Sequence, residues 1–442
     1  MPATRAQEIL DEDHERVFQR VCAIDVAKES GQVCLRTPNG GRRSSRVWTV
    51  KATTGAVVDL GEQLLREGVE KVTVESTSDY WRIFFYLLEG CGLDVQLVNA
   101  RDVRNVPGRP KTDKLDAVWL AKLTEKGMLR PSFVPPRPVR VLRDYTRMRV
   151  DLVRERTRHW QRLEKLLEDS LIKVSAVAST LTTRSARDMV EALIRGERDP
   201  RKLAGLARGR MRSKQAALVE ALTGRFDSHH AELAQILLDQ IDALTGQVDR
   251  LTTRISEQLA QLPDSDPARD ADDDPPTPAC PSPVQRLAAI PGISPEGAQV
   301  IIAEIGLDMT RFPTAGHLVS WAKLCPRTIQ SGARHKTGRT PKGNPYLKGV
   351  LGQAAGAAAR TSTFLGERYR RIVRRRGKGK ALVAVARSIL VIIWHLLTDP
   401  ATSFRDLGVD YHLTRLDQDR KIRNHVRQLE ALGYQVTLAP AA

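Results

Sequence analysis

Between residues 18 and 130 the sequence switches between two periodicities in an order that restricts the fold sharply. RVCAIDVA is a β-rich run, Gly31 reads as the turn into QVCLRT, and RVWTVKAT follows as a third strand with no helical stretch between them. Helices and strands then alternate. AVVDLGEQLLREG is helical, KVTVEST a short apolar strand, YWRIFFYLLEGCG a helix and DVQLVNA another strand. After the basic loop RDVRNVPGRPK, TDKLDAVWLAKLTEKG reads as a helix capped by Thr112.

Three strands in meander followed by α-β-α-β-α is the order of an RNase H-like sheet, so the first domain is placed at residues 18–130. From about 140 to 262 the pattern is almost wholly helical. Leu237, Ile241, Leu244, Val248, Leu251 and Ile255 follow in steps of four and three, the stripe of a coiled coil or a bundle face. An intermolecular coiled coil and an antiparallel hairpin with the chain's own preceding helix both satisfy that stripe. Residues 263–283 hold seven Pro and six Asp without periodicity, which reads as an acidic linker. A mainly helical domain is expected over 284–400 and a helical tail over 401–442, the latter an amphipathic helix plus a short strand. The overall class is α/β plus all-α.

Charge narrows the partners. Lys and Arg number 70 against 52 Asp and Glu, a formal net charge of +18, which suits a polyanion and nucleic acid before a membrane surface. The polar N-terminus lacks an apolar signal core. The most apolar stretch, Ala381 to Leu397, is broken by Arg387, Ser388 and His395, so a buried helix is expected there and no membrane. Five cysteines without a CxxC pair, and nine histidines without HExxH, point to reduced thiols in an intracellular, cytoplasmic protein with no zinc site readable from spacing, and by its charge it is expected to be DNA-associated.

Four carboxylates stand out by placement. Asp25 interrupts an apolar strand, where an ionised group is costly unless a divalent cation compensates it. Glu75 ends KVTVE, the strand that neighbours the first in this topology. Asp113 and Asp116 are three apart on one helix face. Carboxylates gathered this way need Mg²⁺ or Mn²⁺ to offset their repulsion, and paired ions can clamp the attacking and leaving oxygens of a phosphodiester. Taken singly, each acid also fits an ordinary structural role: a helix-dipole partner, a solvated side chain, an ion pair.

RLAAIPGISPEGAQVIIAEIG reads as helix, glycine-containing hairpin, helix. Backbone N–H groups around Gly292 and Gly297 can hold a phosphate there, although an ordinary helical corner has the same pattern. Further candidate contacts to nucleic acid are Gly332, Arg334, Lys336, Arg339 and Lys342 in a Gly-rich cationic stretch. Arg154 and Arg158 lie in a basic helix, and Arg374 and Arg375 in RYRRIVRRRGKGK. Trp81, Tyr145 and Trp160 suit base stacking or core packing.

AIDVAKES, VTVESTSDYW, VNARDVRNVPGRPKTDKLDAVWLAKL, AAIPGISPEGAQVIIAEIG and LCPRTIQSGARHKTGRTPKGNPYLKGVL together resemble, in order, the DEDD transposases of bacterial insertion sequences. These are bridge-RNA-guided serine recombinases with a RuvC-like domain, and the resemblance runs from about residue 20 into the C-terminal region. It implies a metal-binding catalytic tetrad of Asp25, Glu75, Asp113 and Asp116, and a nucleophile at Ser331 before Gly332. Where many relatives carry two serines this chain has Gln330 then Ser331, leaving one candidate. It further implies donor and target DNA, a structured non-coding guide RNA, a dimeric or tetrameric assembly, and a site shared between protomers. The alternatives are a hydrolytic RuvC-like junction nuclease in which Ser331 is structural, and a non-catalytic nucleic-acid-binding protein.

Overall fold

The computed structural model describes residues 18–39, 42–76, 78–99, 113–262, 281–326, 328–331, 334–338, 340–411 and 418–438, with the backbone alone for 76, 113–114, 328–331, 334–337 and 418–421. Thr112, Cys280, Gly332, Arg339 and all but the last residues of the acidic linker lie outside them. Two compact units divide the chain, residues 1–134 and 135–442.

The first unit is a mixed sheet in the order β3-β2-β1-β4-β5-β6. Its strands are β1 (Val21–Val26), β2 (Ser30–Asn39), β3 (Arg42–Lys51), β4 (Lys71–Ser76), β5 (Val95–Asn99) and β6 (Pro131–Ser132). β1 to β3 form the antiparallel meander read from the sequence, whereas β4 and β5 join in parallel. Parallel pairing needs crossovers, and the helices α1 (Thr54–Arg66) and α2 (Trp81–Gly90) supply them. Alternation along β1 then divides the core into two layers. Cys22, Ile24 and Val26 pack with Leu60, Leu64, Phe84 and Leu88 on one face. Val21 and Ala23 pack on the other against Ala117, Leu120 and Ala121 of α3 (Asp113–Glu125).

Gly31 is not the turn residue. The chain turns at residues 27–29, where Ala27 N–H donates to Ser30 O at 2.8 Å, and Gly31 lies inside β2 opposite Val26. A Cβ there would meet Ile24 Cγ2 and Phe84 Cζ, each at 2.8 Å. Both neighbours are fully buried and cannot retreat. Gly31→Ala is therefore expected to destabilise the chain by about 2 kcal/mol through overpacking, read as a lower urea midpoint; an unchanged midpoint contradicts the packing argument.

The second unit hangs on two 33-residue helices, α4 (Arg137–Asp169) and α9 (Ser228–Ala260). The short helices α5 (Val174–Val177), α6 (Arg184–Ile194), α7 (Pro200–Gly205) and α8 (Gln215–Ala221) lie between them in sequence. α9 packs along α4, so the stripe is used within the chain: Ile241, Leu244, Val248 and Ile255 are buried, with Leu238 rather than Leu237 fully inside. α10 (Pro283–Ala288) opens with Ser282 as its N-cap in a capping box with Gln285. α11 (Pro295–Ile305), α12 (Ala315–Trp321), the hairpin β7 (Thr328–Ser331) and β8 (Arg334–Thr337), α13 (Pro345–Ala358), α14 (Phe364–Arg376) and α15 (Lys378–Thr398) follow.

α15 is apolar and long enough to cross a membrane by composition alone. It is used as a core helix, burying Ala381, Val385, Ile389, Leu390 and Ile393, while buried Arg286 donates to the carbonyls of Leu396 and Asp399 at its C-terminal end. The tail forms α16 (Gln418–Ala431), but the described residues after it, 432–438, contain no strand where one was expected. Tyr434 and Leu438 there are well exposed, so burial gives the segment nothing that would fix an extended conformation. Among the described residues four cysteines are free thiols, and burial pushes Cys34 up to about 11, which leaves it inert at neutral pH.

Candidate active site

Register brings two of the predicted acids side by side. Ile24 pairs with Val74, so Asp25 and Glu75 come next at adjacent positions near the C-terminal ends of parallel strands β1 and β4. Asp25 shares a face with Val21 and Ala23, and Glu75 shares one with Thr73, whose hydroxyl lies 2.7 Å from that of Thr124 on α3. Both acids therefore stand on the sheet face that α3 covers. Glu75 is buried and Asp25 half-buried.

The direction of α3 completes the arrangement. Its last residue, Glu125, accepts from Arg36 at 2.6 Å, and Arg36 pairs with Val21 at the start of β1; Phe18 N–H donates to Glu125 O at 3.0 Å. The helix thus runs from the strands' C-terminal end, where it begins, to their N-terminal end. Asp113 and Asp116 precede the sheet-facing Ala117 and Leu120 by one turn each, so they occupy the same stripe at the acidic end. By backbone position Asp25, Glu75, Asp113 and Asp116 stand at the same end of the sheet; of the Asp113 side chain only the helix position is described.

These donors suit a hard divalent cation that takes oxygen ligands. Directly across the strand from Asp25, Gln32 gives its Nε2 to Thr49 at 2.8 Å and leaves a buried Oε1 without a partner among the described residues, one more oxygen suited to a cation or its water. Asp25, Glu75 and Asp116 do not bring three ligand oxygens within 4.8 Å of one another.

The second element lies in the other unit. Ser331 is the last residue of β7 and pairs with Arg334, the first of β8. TIQS and RHKT alternate too weakly to announce strands in the sequence, where the stretch reads only as Gly-rich and cationic. The chain after the hairpin is tied down at Asn344, which caps α13 by accepting from the N–H groups of Tyr346 and Leu347 and whose Nδ2 donates to Glu304 of α11 within hydrogen-bond distance. Glu304 is fully buried, accepts two bonds from Arg147 at 2.7 and 2.9 Å, and pairs with Arg143. Tyr346 in turn sits beneath the guanidiniums of Arg147 and Arg154, and its hydroxyl donates to Asp151 at 2.7 Å.

Two transposase families match the chain in the order of these parts. One, described as transposase, matches residues 22–172, which include all four acids; the other, described as the transposase IS116/IS110/IS902 family, matches residues 284–370, which include Ser331. The chain belongs to the IS110 family of transposases. Among relatives of this IS110-family chain, the 43.6 kDa protein of insertion element IS110 from Streptomyces coelicolor is 33% identical over 181 residues, 38% of this chain and 44% of that protein. The mini-circle protein of IS117 from the same organism is 31% identical over 183 residues, 41% of this chain and 38% of that protein. The chain thus matches less than half the length of these curated relatives. A Thermus thermophilus RuvC structure aligns over 26% of this chain and all of its own at 16% identity, with a TM-score of 0.21. A likeness at that level carries no argument, and the RNase H-like order rests on the strand topology itself.

The remaining candidates divide by what already holds them. Gly292, at φ +94°, faces α13 so closely that a Cβ would lie 2.2 Å from Ala354 O, and the Gly297 N–H is donated to Ser294 Oγ at 3.1 Å. Both glycines have internal roles, so neither needs a phosphate to account for it. Arg149 is likewise buried against α11, donating to Gln299 Oε1 at 2.7 Å. Arg158, Lys342, Arg374 and Arg375 are exposed, while Arg154 is committed in part to Asp151. Arg334 and Lys336 stand on β8 by backbone position. On α14, burial and the guanidiniums of Arg371 and Arg387 hold Arg368 below its ordinary value, and its buried Nε has no acceptor among the described residues. Positive charge concentrated against itself in this way is relieved by a bound polyanion. Trp81 and Trp160 pack on cores, as their bulk suggests.

Proposed function

We propose that this IS110-family transposase is an RNA-guided DNA recombinase that cuts and rejoins DNA through a phosphoserine intermediate. The observation that carries the reading is the gathering of Asp25, Glu75 and the Asp113/Asp116 stripe at one end of the sheet, in a chain whose other matched half carries a single Ser-Gly at Ser331–Gly332. Mg²⁺ or Mn²⁺ bound by the four acids would polarise a DNA phosphate and stabilise the charge that develops on it.

The chain's own residues divide the work as follows. The acids hold and orient the phosphate-bearing centre. Ser331 Oγ attacks phosphorus, one P–O bond of the DNA breaks, and the serine proton ends on the departing hydroxyl. The phosphoester energy is kept in Ser–O–P rather than lost to water. A DNA hydroxyl then attacks that phosphorus, restores the serine and seals a new strand. Exposed cations such as Arg158, Arg374 and Arg375 neutralise backbone phosphates without reading sequence, which suits a division of labour in which base pairing by a structured non-coding RNA chooses donor and target. Assembly as a dimer or tetramer and work on cytoplasmic DNA belong to the same reading.

The test is denaturing electrophoresis of labelled donor DNA incubated with the full chain, the element's non-coding RNA and Mg²⁺. A protease-sensitive protein–DNA adduct is expected with the wild-type chain and none with Ser331→Ala. Cleavage that persists in Ser331→Ala without any adduct overturns the phosphoserine step and leaves a hydrolytic nuclease.

A further inference from the structure

A cavity of about 510 Å³ opens in the second unit among α4, α6 and α9, away from Ser331 in sequence and built by none of its supports. Its lining is unusually mixed for a bundle seam. Trp160 and Arg156 come from α4, Arg184 from the first turn of α6, and Asp242 and Thr245 from α9. Part of the lining is already neutralised, because Arg187 donates to both oxygens of Asp242 at 2.9 and 2.7 Å. Arg156 and Arg184 have no such partner: neither forms an ion pair with a described residue, and Arg156 reaches only the Thr245 hydroxyl at 3.3 Å. Trp160 is part-buried against the bundle core, which fixes its ring in the wall.

We propose that this cavity binds one unpaired nucleotide of a single-stranded nucleic acid, with the base against Trp160 and the phosphate on Arg156 and Arg184. Each component matches one part of such a ligand. An indole offers a stacking surface that tolerates any base. Two guanidiniums form forked donors suited to phosphate oxygens. Threonine hydroxyls at 157, 182 and 245 can give or take hydrogen bonds with sugar or base edges. The volume falls within the range of small-molecule sites, about 300–1,000 Å³. An acidic peptide would satisfy the arginines and leave the tryptophan without a role. Exposed Arg158, Arg162 and Lys165 continue along α4 and would carry the flanking backbone. The inference rests on the reading of the chain as a nucleic-acid enzyme and adds a site outside its catalytic centre.

Photo-crosslinking of the full chain without divalent cation tests it, using a short oligouridylate carrying 4-thiouridine and a matched oligothymidylate carrying 4-thiothymidine. The crosslink is expected on the peptide that contains Trp160. Arg156→Gln with Arg184→Gln, both away from the core, is expected to weaken oligonucleotide binding by roughly tenfold in fluorescence anisotropy with an unchanged unfolding midpoint, and Trp160→Leu, which also gives up core packing and lowers that midpoint, to weaken binding as much when measured well below its own unfolding transition. Crosslinking of the ribo-oligomer alone assigns the cavity to RNA, and of the deoxy-oligomer alone to a displaced DNA strand. Crosslinks confined to other peptides, with the double arginine variant binding as wild type, overturn the proposal. Because no metal or cleavage enters this assay, adduct formation without a Trp160 crosslink removes this site alone. A Trp160 crosslink in a chain that makes no adduct removes the recombinase reading alone.

Discussion

Asp25→Asn is expected to lower metal-dependent DNA strand cleavage by roughly 10³-fold or more, since a metal-assisted phosphoryl transfer draws several kcal/mol from its ions and each 1.36 kcal/mol is a factor of ten. The substitution keeps the shape of the side chain in a half-buried position on β1, so the fold has little reason to change. Only the charge is removed from the acidic end of the sheet. Glu75→Gln is expected to act in the same direction from the neighbouring strand. Asp94→Asn, which loses only an exposed ion pair with Lys71, is the control and should cleave within about twofold of wild type. Titration with Mn²⁺ followed by its paramagnetic signal should show weaker binding in the two site variants and none of that change in the control. Wild-type cleavage by Asp25→Asn would remove Asp25 from the catalytic centre and with it the assignment of the acids as a set.

How much of this was legible beforehand depended on how local each signal was. The meander and the alternation after it are written in hydrophobic periodicity, and the sheet order follows once strands joined directly pair antiparallel and strands joined by helices pair in parallel. Asp25 announced itself as a lone charge in an apolar run. Glu304 sends the same signal in AQVIIAEIG, yet its partners lie some 160 residues away on α4, and no local pattern pairs a glutamate with Arg143 and Arg147. The arginines of α4 hide their partners for the same reason. Spaced along a basic helix they resemble a solvated or nucleic-acid-facing stripe, but Arg143, Arg147 and Arg149 are spent on α11. Gly31 was read as a turn because glycine usually marks one; its need to be small comes from Phe84, more than fifty residues on, which only packing reveals. Ser331 had no physical signal of its own, and the resemblance supplied it.

The second large effect concerns the clamp between α4, α11 and the N-cap of α13, which follows the Ser331 hairpin in the chain. Glu304→Ala is expected to destabilise the chain by about 3 kcal/mol, the lower end of the cost of breaking a buried ion pair, because roughly a third of the Arg147 side chain still reaches water and can shed part of the stranded charge. The argument lies in what is left behind. Burial alone would pull the Arg147 guanidinium below its ordinary pKa, and the hydrogen bonds and charge of Glu304 more than offset it. Remove the carboxylate and two arginines face each other across the end of α11, while Asn344 loses the acceptor that anchors the N-cap of α13. Glu304→Gln, which keeps the shape and one acceptor oxygen, should cost about half as much. Joint replacement by methionine separates charge from packing: Glu304→Met combined with Arg147→Met should lose less than the sum of the single changes by at least about 1 kcal/mol, since an apolar pair leaves no uncompensated ion. Urea denaturation of the four chains measures this directly. Additive losses would mean that Glu304 and Arg147 are held independently, and that the approach of α4 to α11 owes its stability to the apolar contacts around them.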